Sequence, residues 1–525
     1  MTGSIALPTS ADTSPLLKPH SRSSHRSLRR PAATLAWLTA GCTLFFLGYL
    51  SHQLPPAATY MPAAVTSLSE STSSFLPSSL RSHPFLQRTH SRTPSRKPPP
   101  SCRLCDSTPD DPLCQYGDSA VRLSRAYEGS GLRVRRFLEK AMRGEEVTVG
   151  IIGASVTAGH GLGPGEMSWV EQWFENFQTK FPRAQLVNGA APAMTSKFYS
   201  YCHETMLPGK IDLYIIELDI NDEVTAETFV AQDALLRSLL DQPHQPAVMK
   251  ASVFALSFED LIRGTSASLT LAQYFDVPIV SVRNVLQPLT ISHPDLAPSF
   301  FTTFPNGQPD LRHLNKIGHR VLGDMFTHYL HEQSCLASQE QHRPRLQPKF
   351  GSLWPSEDVY EAVPRLHLWK PFSETFQAER VTPTCKFASS TTRPLVALPP
   401  SEDGRDGRPW ERMEWNDKAA LASNEVGSLV RFGVEGTSVG VFIWQWPGNP
   451  HTRPEKMPGQ MSCWVDNQLD QAMLIDTYSV ATAAVPTWVM VQESLQAGKH
   501  VLTCQILQSS STSGHEVRII GVVSH

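Results

Sequence analysis

Two short stretches of this chain carry residue types that could do nucleophilic chemistry. Residues 150–156 read Gly-Ile-Ile-Gly-Ala-Ser-Val; the β-branched run Val147, Val149, Ile151, Ile152 stops at Gly153, and the turn GASVTAG then delivers Ser155. A strand ending in such a turn holds a hydroxyl at the carboxyl edge of a sheet, where open α/β folds bind ligands. Farther on, Asp310-Leu-Arg-His313 puts an acid three residues before a histidine, on an expected loop that runs into a helix. At that spacing Asp310 can accept the Nδ1 proton of His313 while Nε2 faces the serine, the base-and-orienter logic of a hydrolytic triad.

Two further pieces lie between them. LVNGAAPA (186–193) reads as a short strand ending in Asn188-Gly189, and IDLYIIELDIND (211–222) as a buried strand ending in Asp219-Ile-Asn221-Asp222. In this order the four blocks resemble the SGNH (GDSL-like) hydrolases. The resemblance implies Ser155 as nucleophile, His313 as base with Asp310 as its partner, and an oxyanion hole from Ser155, the Gly189 or Ala190 peptide, and the Asn221 side chain. It implies no metal and no organic cofactor. Ala154 stands where the family has Asp, Asp219 where its third block has Gly, and an Asn-x-Gly spacing from Asn188 lands on Ala190. Which of the two peptides donates is therefore left open.

The elements that must position these residues alternate in type. Strands are expected at 146–153, 185–188, 211–218, 247–256 and 277–282, with helices at 167–180, 194–205, 225–241, 265–275 and 314–332. Trp169, Trp173, Phe177 and Phe181 form a core stripe at four-residue spacing. Such alternation predicts a parallel sheet covered on both faces, and the resemblance implies a flavodoxin-like domain with five parallel strands over 118–335. The connection 283–309, with Phe300, Phe301 and Phe304, reads as a long loop walling the site. His203, His319 and His328 have no partner at an interpretable spacing and read as structural.

After a proline- and charge-rich connector at 336–385 the pattern changes to period two. LVRFGV, SVGVFIW, MSCWVD, AMLID, TWVMVQE, HVLTCQIL and EVRIIGVV predict a β-sandwich or jelly roll over 386–525. It resembles the carbohydrate-binding jelly rolls that accompany some SGNH esterases. Trp444, Trp446 and Trp464 could stack on sugar rings or fill the core. Cys463 and Cys504, both mid-strand, could pair across neighbouring strands.

The amino-terminal quarter is of a different kind. Residues 32–50 carry no charge, and Lys18, Arg22, Arg26, Arg29 and Arg30 precede them against a single acid, Asp12. The span is long enough for a thin bilayer, and the positive-inside rule makes 1–31 a cytosolic tail and 32–50 a signal-anchor. A cleaved signal peptide is the alternative. Residues 51–115 are Ser/Pro-rich and read as a disordered stem. The eight cysteines beyond the span would then face an oxidising lumen, where disulfides are the default; Cys102-x-x-Cys105 with Cys114 lacks a fourth zinc ligand. The net charge of -3 provides no dominant basic surface and excludes nucleic acid as a main partner.

Together these readings predict a single-pass type II membrane protein of the Golgi, secretory pathway or cell surface. Its expected activity is an ester hydrolase removing acetyl or other short acyl groups from carbohydrate. Transfer of the acyl group to a glycan hydroxyl, and silent glycan binding, are the two rivals.

Overall fold

The computed structural model describes residues 101–525, apart from 259–260, 262–264, 342–360, 401–406, 408, 416, 449–453 and 481–483. Its α/β part is built on β1 (Arg125–Tyr127), β2 (Val147–Gly153), β3 (Ala184–Asn188), β4 (Leu213–Glu217), β5 (Ala247–Ser252) and β6 (Ile279–Ser281), in spatial order β1-β6-β5-β4-β2-β3. β2 to β6 are mutually parallel, and the three-residue β1 closes the edge antiparallel to β6. The five parallel strands match expectation; β1 is an addition too short to show a period.

Alternation along the strands explains the three layers. Val147, Val149 and Ile151 enter one core with the helices Leu132–Met142, Trp169–Lys180 and Lys316–Gln341. Ile152 and Ala154 enter the other, against Ser196–Met206, Ala226–Leu240 and Thr265–Phe275. A strand buried on both faces must be apolar throughout, as β4 is (LYII) until Glu217. The parallel order also fixes the functional edge. Connections leave β2 toward one side and β4 toward the other, so the crevice past their carboxyl ends is the topological switch point.

Three expectations change. The composition predicts a stem to 115, yet Leu104–Ser107 and Gly117–Leu123 are helical, and disulfides Cys102–Cys335 and Cys105–Cys114 tie this segment to the helix 316–341 and to itself. The connection 283–309 is no loop: it holds a helix at Arg283–Ser292, a 3-10 turn at Pro294–Ser299 and β7 (Phe301–Thr303). The Asp-His block lies on β8 (Pro309–Leu314), which pairs antiparallel with β7.

The carboxyl-terminal part is a sandwich. One sheet comprises β9 (Thr384–Phe387), β10 (Glu411–Trp415), β11 (Lys418–Ser423), β13 (Val439–Gln445), β16 (Val485–Gln492) and β18 (Val517–Ser524); the other comprises β12 (Leu429–Gly436), β14 (Gln460–Val465), β15 (Met473–Asp476) and β17 (Gly498–Ile506). All seven expected strands are present, and β9, β10 and β11 are added. Cys463 and Cys504 are direct cross-strand partners and form a disulfide. Trp444 is buried, Trp446 and Trp464 half-buried, and the Arg518 guanidinium covers the Trp446 ring at 4.4 Å.

The two parts share a core. Phe198, on the helix 196–206, lies 4.7 Å from the Phe387 ring and 5.4 Å from Phe442, and Cys202 of the same helix is bonded to Cys385. The described residues accordingly form one compact unit. Among the described residues no helix is long and apolar enough to cross a membrane; the span 32–50, with 1–31 and 51–100, lies outside them.

Candidate active site

Ser155 follows β2 in a tight turn closed by Ala158 N–H to Ala154 O at 2.9 Å and His160 N–H to Ser155 O at 2.9 Å. Its Oγ lies 3.0 Å from His313 Nε2, and His313 Nδ1 lies 2.7 Å from Asp310 Oδ2. The structure thus brings Ser155, His313 and Asp310 into one hydrogen-bonded chain, with both ring nitrogens of the histidine engaged.

The local path of β8 accounts for the second contact. In a regular strand, residues i and i+3 point to opposite faces, so Asp310 could not reach His313. Leu311 breaks the alternation with φ +56°, and the ladder slips between the pairs Phe301–Leu314 and Thr303–Pro309, leaving Asp310–His313 in a bulge. A left-handed leucine costs on the order of 1–3 kcal/mol. Leu256 N–H holds it by donating to Leu311 O at 2.7 Å. Gly161 lets the serine turn close on this bulge: its φ is +97°, and a Cβ there would lie 2.8 Å from Leu314 O and 3.0 Å from His313 Cβ.

The two candidate peptides of the second block differ in their partners. Gly189 N–H is taken up by Ile151 O at 2.9 Å, whereas Ala190 N–H is held at 3.0 Å by the side chain of exposed Asn188. Gly189 has a steric role instead, since a Cβ there would meet Leu207 at 2.8 Å and Met206 O at 3.0 Å. Asn221 sits half-buried in a turn past β4, where its own N–H and that of Asp222 both donate to Leu218 O at 3.0 Å. β2 pairs with β4 through Gly153 and Glu217, so the segments bearing Ser155 and Asn221 leave the sheet as neighbours.

The two aspartates beside Asn221 serve the framework. Asp222 clasps the start of the helix 196–206, accepting Ser196 N–H at 2.8 Å, the Ser196 hydroxyl at 2.5 Å and the Gln232 amide at 2.9 Å. Asp219 is buried with Lys250 Nζ at 3.8 Å, so a fixed cation faces its carboxylate. Burial still holds the Asp219 carboxyl above the usual carboxylate range. Of the three structural histidines, His203 Nδ1 faces Tyr199 O, His328 Nε2 faces Leu113 O, and His319 Nδ1 accepts Trp169 N–H at 3.1 Å. Burial first, then the neighbouring His313, pushes His319 down to about 4, which keeps that acceptor lone pair free of a proton.

Sequence reasoning missed two supports. The buried Tyr199 hydroxyl lies 2.7 Å from Gly153 O and 2.8 Å from Gly189 O and accepts Ala191 N–H at 3.0 Å, joining the serine turn to the second block. Glu217 accepts the Thr157 hydroxyl at 2.7 Å, and Thr157 in turn accepts Trp169 Nε1–H at 3.3 Å. Thr157 packs so closely that a Cβ at position 153 would meet it at 2.4 Å, which is why the strand must end in glycine. A glutamate inside the apolar run LYIIE was the available signal for the second support.

No protein-family model and no curated protein matches the sequence. Among solved structures, a two-domain esterase (CEX) active on acetylated mannans is 17% identical, with a TM-score of 0.54, covering 77% of this chain and 98% of that one. The same esterase co-crystallised with mannopentaose is 16% identical with a TM-score of 0.53 over the same shares. AlinE4, an SGNH-hydrolase family esterase, is 19% identical with a TM-score of 0.24, covering 31% of this chain and 89% of that one. At these identities the likeness to the two-domain esterase concerns the fold alone: an α/β domain followed by an all-β domain.

Two expectations follow from the geometry. Asp310→Asn should favour the wrong His313 tautomer and cut turnover by several orders of magnitude with the fold intact. His313→Ala should cost at least as much, and Asn221→Ala roughly 100–1000-fold if its amide donates to the oxyanion as the resemblance implies; steady-state kinetics beside thermal melts checks the set.

The second concerns Glu217, whose carboxyl is pushed by burial from its ordinary 4.5 up to about 8. Within that window the native state keeps a proton that the unfolded chain has lost. Stability is therefore fully present below 4.5 and falls as pH rises toward 8. Glu217→Gln, neutral throughout, should remove this slope. Its melting temperature should exceed that of the wild type at alkaline pH and draw level in acid, whereas parallel melting curves across pH would refute the assignment.

Proposed function

We propose that this protein is a serine ester hydrolase that removes acetyl or other short acyl groups from carbohydrate. The Ser155–His313–Asp310 chain of 3.0 and 2.7 Å contacts at the switch-point edge carries the reading. Support for the substrate class comes from the two-domain esterase of like fold, described as active on acetylated mannans.

The geometry performs acyl transfer in two halves. His313 Nε2 takes the hydroxyl proton as Ser155 Oγ bonds to the ester carbonyl carbon, and the carbonyl π electrons move onto oxygen. Donors for that oxyanion are Ser155 N–H, Ala190 N–H and the Asn221 amide; each such donor is typically worth about 3–4 kcal/mol. As the carbon–oxygen bond to the alcohol breaks, the imidazolium returns its proton to the leaving oxygen. Water then enters by the same route, releasing the acid and Ser155. Asp310 stabilises the imidazolium without itself taking a proton.

The reading includes a location. The basic tail 1–31 and the uncharged span 32–50 would anchor the chain with the catalytic part in the lumen, and the four disulfides of the described residues accord with an oxidising compartment.

The full-length protein should release acetate from an aryl acetate, and Ser155→Ala should abolish that release; an unchanged rate would remove Ser155 from the mechanism. In intact microsomes, added protease should trim only the short tail. Digestion of the catalytic part without detergent would show the orientation to be reversed.

A further inference from the structure

Beside His313 the serine turn carries a second imidazole. The His160 ring lies 5.7 Å from the His313 ring, tilted by 55°. Glycines on either side fix its path, with φ +88° at Gly159 and +97° at Gly161. The far side of His160 meets the sandwich: Asp417, between β10 and β11, places Oδ2 at 3.7 Å from His160 Nε2. The Asp417 side chain is 83% exposed and that of His160 30% exposed, so both reach solvent at the seam of the two parts.

This distance is too long for a hydrogen bond between the two groups. It is short enough for a single hydroxyl, at about 2.8 Å from each, to bridge them. The hydroxyl would donate its proton to the carboxylate, and its oxygen would accept Nε2–H from the imidazole. Burial first, then the neighbouring His313, lowers the His160 pKa from its ordinary value, against the opposing pull of Asp417. The position also selects which half of an ester arrives there. His313 must hand its proton to the leaving oxygen, so the alcohol portion lies on the His313 side of Ser155. The His160 ring neighbours the His313 ring at 5.7 Å, and Asp417 lies 3.7 Å from His160 Nε2, so the pair borders the base.

Resting on the esterase reading above, we propose that His160 and Asp417 form a binding site for a hydroxyl of the alcohol portion, selecting polyhydroxylated (sugar) esters over simple ones. The sandwich thereby supplies a substrate contact through Asp417. Neither residue takes part in the acyl chemistry.

The test compares full-length wild type with Asp417→Asn, His160→Ala and the double variant. Each is assayed on an aryl acetate and on a panel of mono-O-acetylated hexoses and manno-oligosaccharides. Asp417 has φ +60°, a conformation asparagine tolerates, so Asp417→Asn removes the charge and keeps the turn. Each single variant should lower kcat/KM on the sugar esters by roughly 10–100-fold, chiefly through KM, and leave the aryl acetate unchanged. The double variant should lose little more than either single one, because one hydroxyl serves both groups. Equal losses on both substrates would mean that the pair acts through His313 and would overturn the proposal, as would unchanged sugar-ester kinetics. Wild-type cleavage of the aryl acetate with no turnover of any sugar ester would overturn it too. Absence of all turnover, with Ser155 unlabelled by a fluorophosphonate, would instead defeat the underlying esterase reading.

Discussion

A hydroxyl and an imidazole separated by 158 residues stand 3.0 Å apart, and much of the local structure follows from holding them there. The serine end is fixed by the sheet: β2 lies between β4 and β3, buried on both faces, and stops where Gly153 admits the Thr157 side chain. Thr157 is held by Glu217 from the next strand and by Trp169 from the helix that follows the turn. The histidine end has no such sheet. It hangs on a short hairpin and must be aimed by a bulge, and the backbone strain of the site sits there, at Leu311. Asn315 fastens the base of this hairpin. Its side-chain oxygen accepts Ile317 and Gly318 N–H at the helix start, while its amide donates to Ser299 O at 3.0 Å.

What could be read from the chain divides along the same line. The parallel strands and their helices were legible because buried parallel strands must be continuously apolar and the helices between them show a 3.6-residue stripe. Ser155 and His313 were legible because each follows or precedes such an element. The β7–β8 hairpin was not, since Pro309 and the unpaired residues of its bulge erase any period-two signal. Nor was β1, whose three residues are too few. The offset of the second block was visible as an ambiguity between Gly189 and Ala190. Local sequence does not show where either N–H goes: that of Gly189 pairs with Ile151 O of the sheet and that of Ala190 with the Asn188 side chain. The ordered segment 101–115 was hidden by composition: its polar, proline-containing sequence has little to bury, and two disulfides secure it instead. Long-range pairings such as Cys202 with Cys385 leave no trace in local sequence at all.

That last disulfide bears on how the two parts work together. A binding module on a free linker would raise local substrate concentration without entering the active site. Here the chain runs differently. Phe198, Phe387 and Phe442 pack ring against ring across the seam, Thr205 Oγ1–H donates to Cys385 O at 2.9 Å, and the disulfide closes the same contact. Swinging the sandwich away would expose buried aromatic surface, where a Phe alone is worth about 1.5–3 kcal/mol, and would strain a covalent bond. The helix 196–206 that carries this contact is also the one whose Tyr199 touches Gly153 and Gly189 carbonyls and whose first turn is clasped by Asp222. One helix therefore registers the sandwich against the serine turn. With that registration fixed, the β10–β11 turn reaches His160 as a constant feature of the folded chain rather than as the outcome of a domain closure.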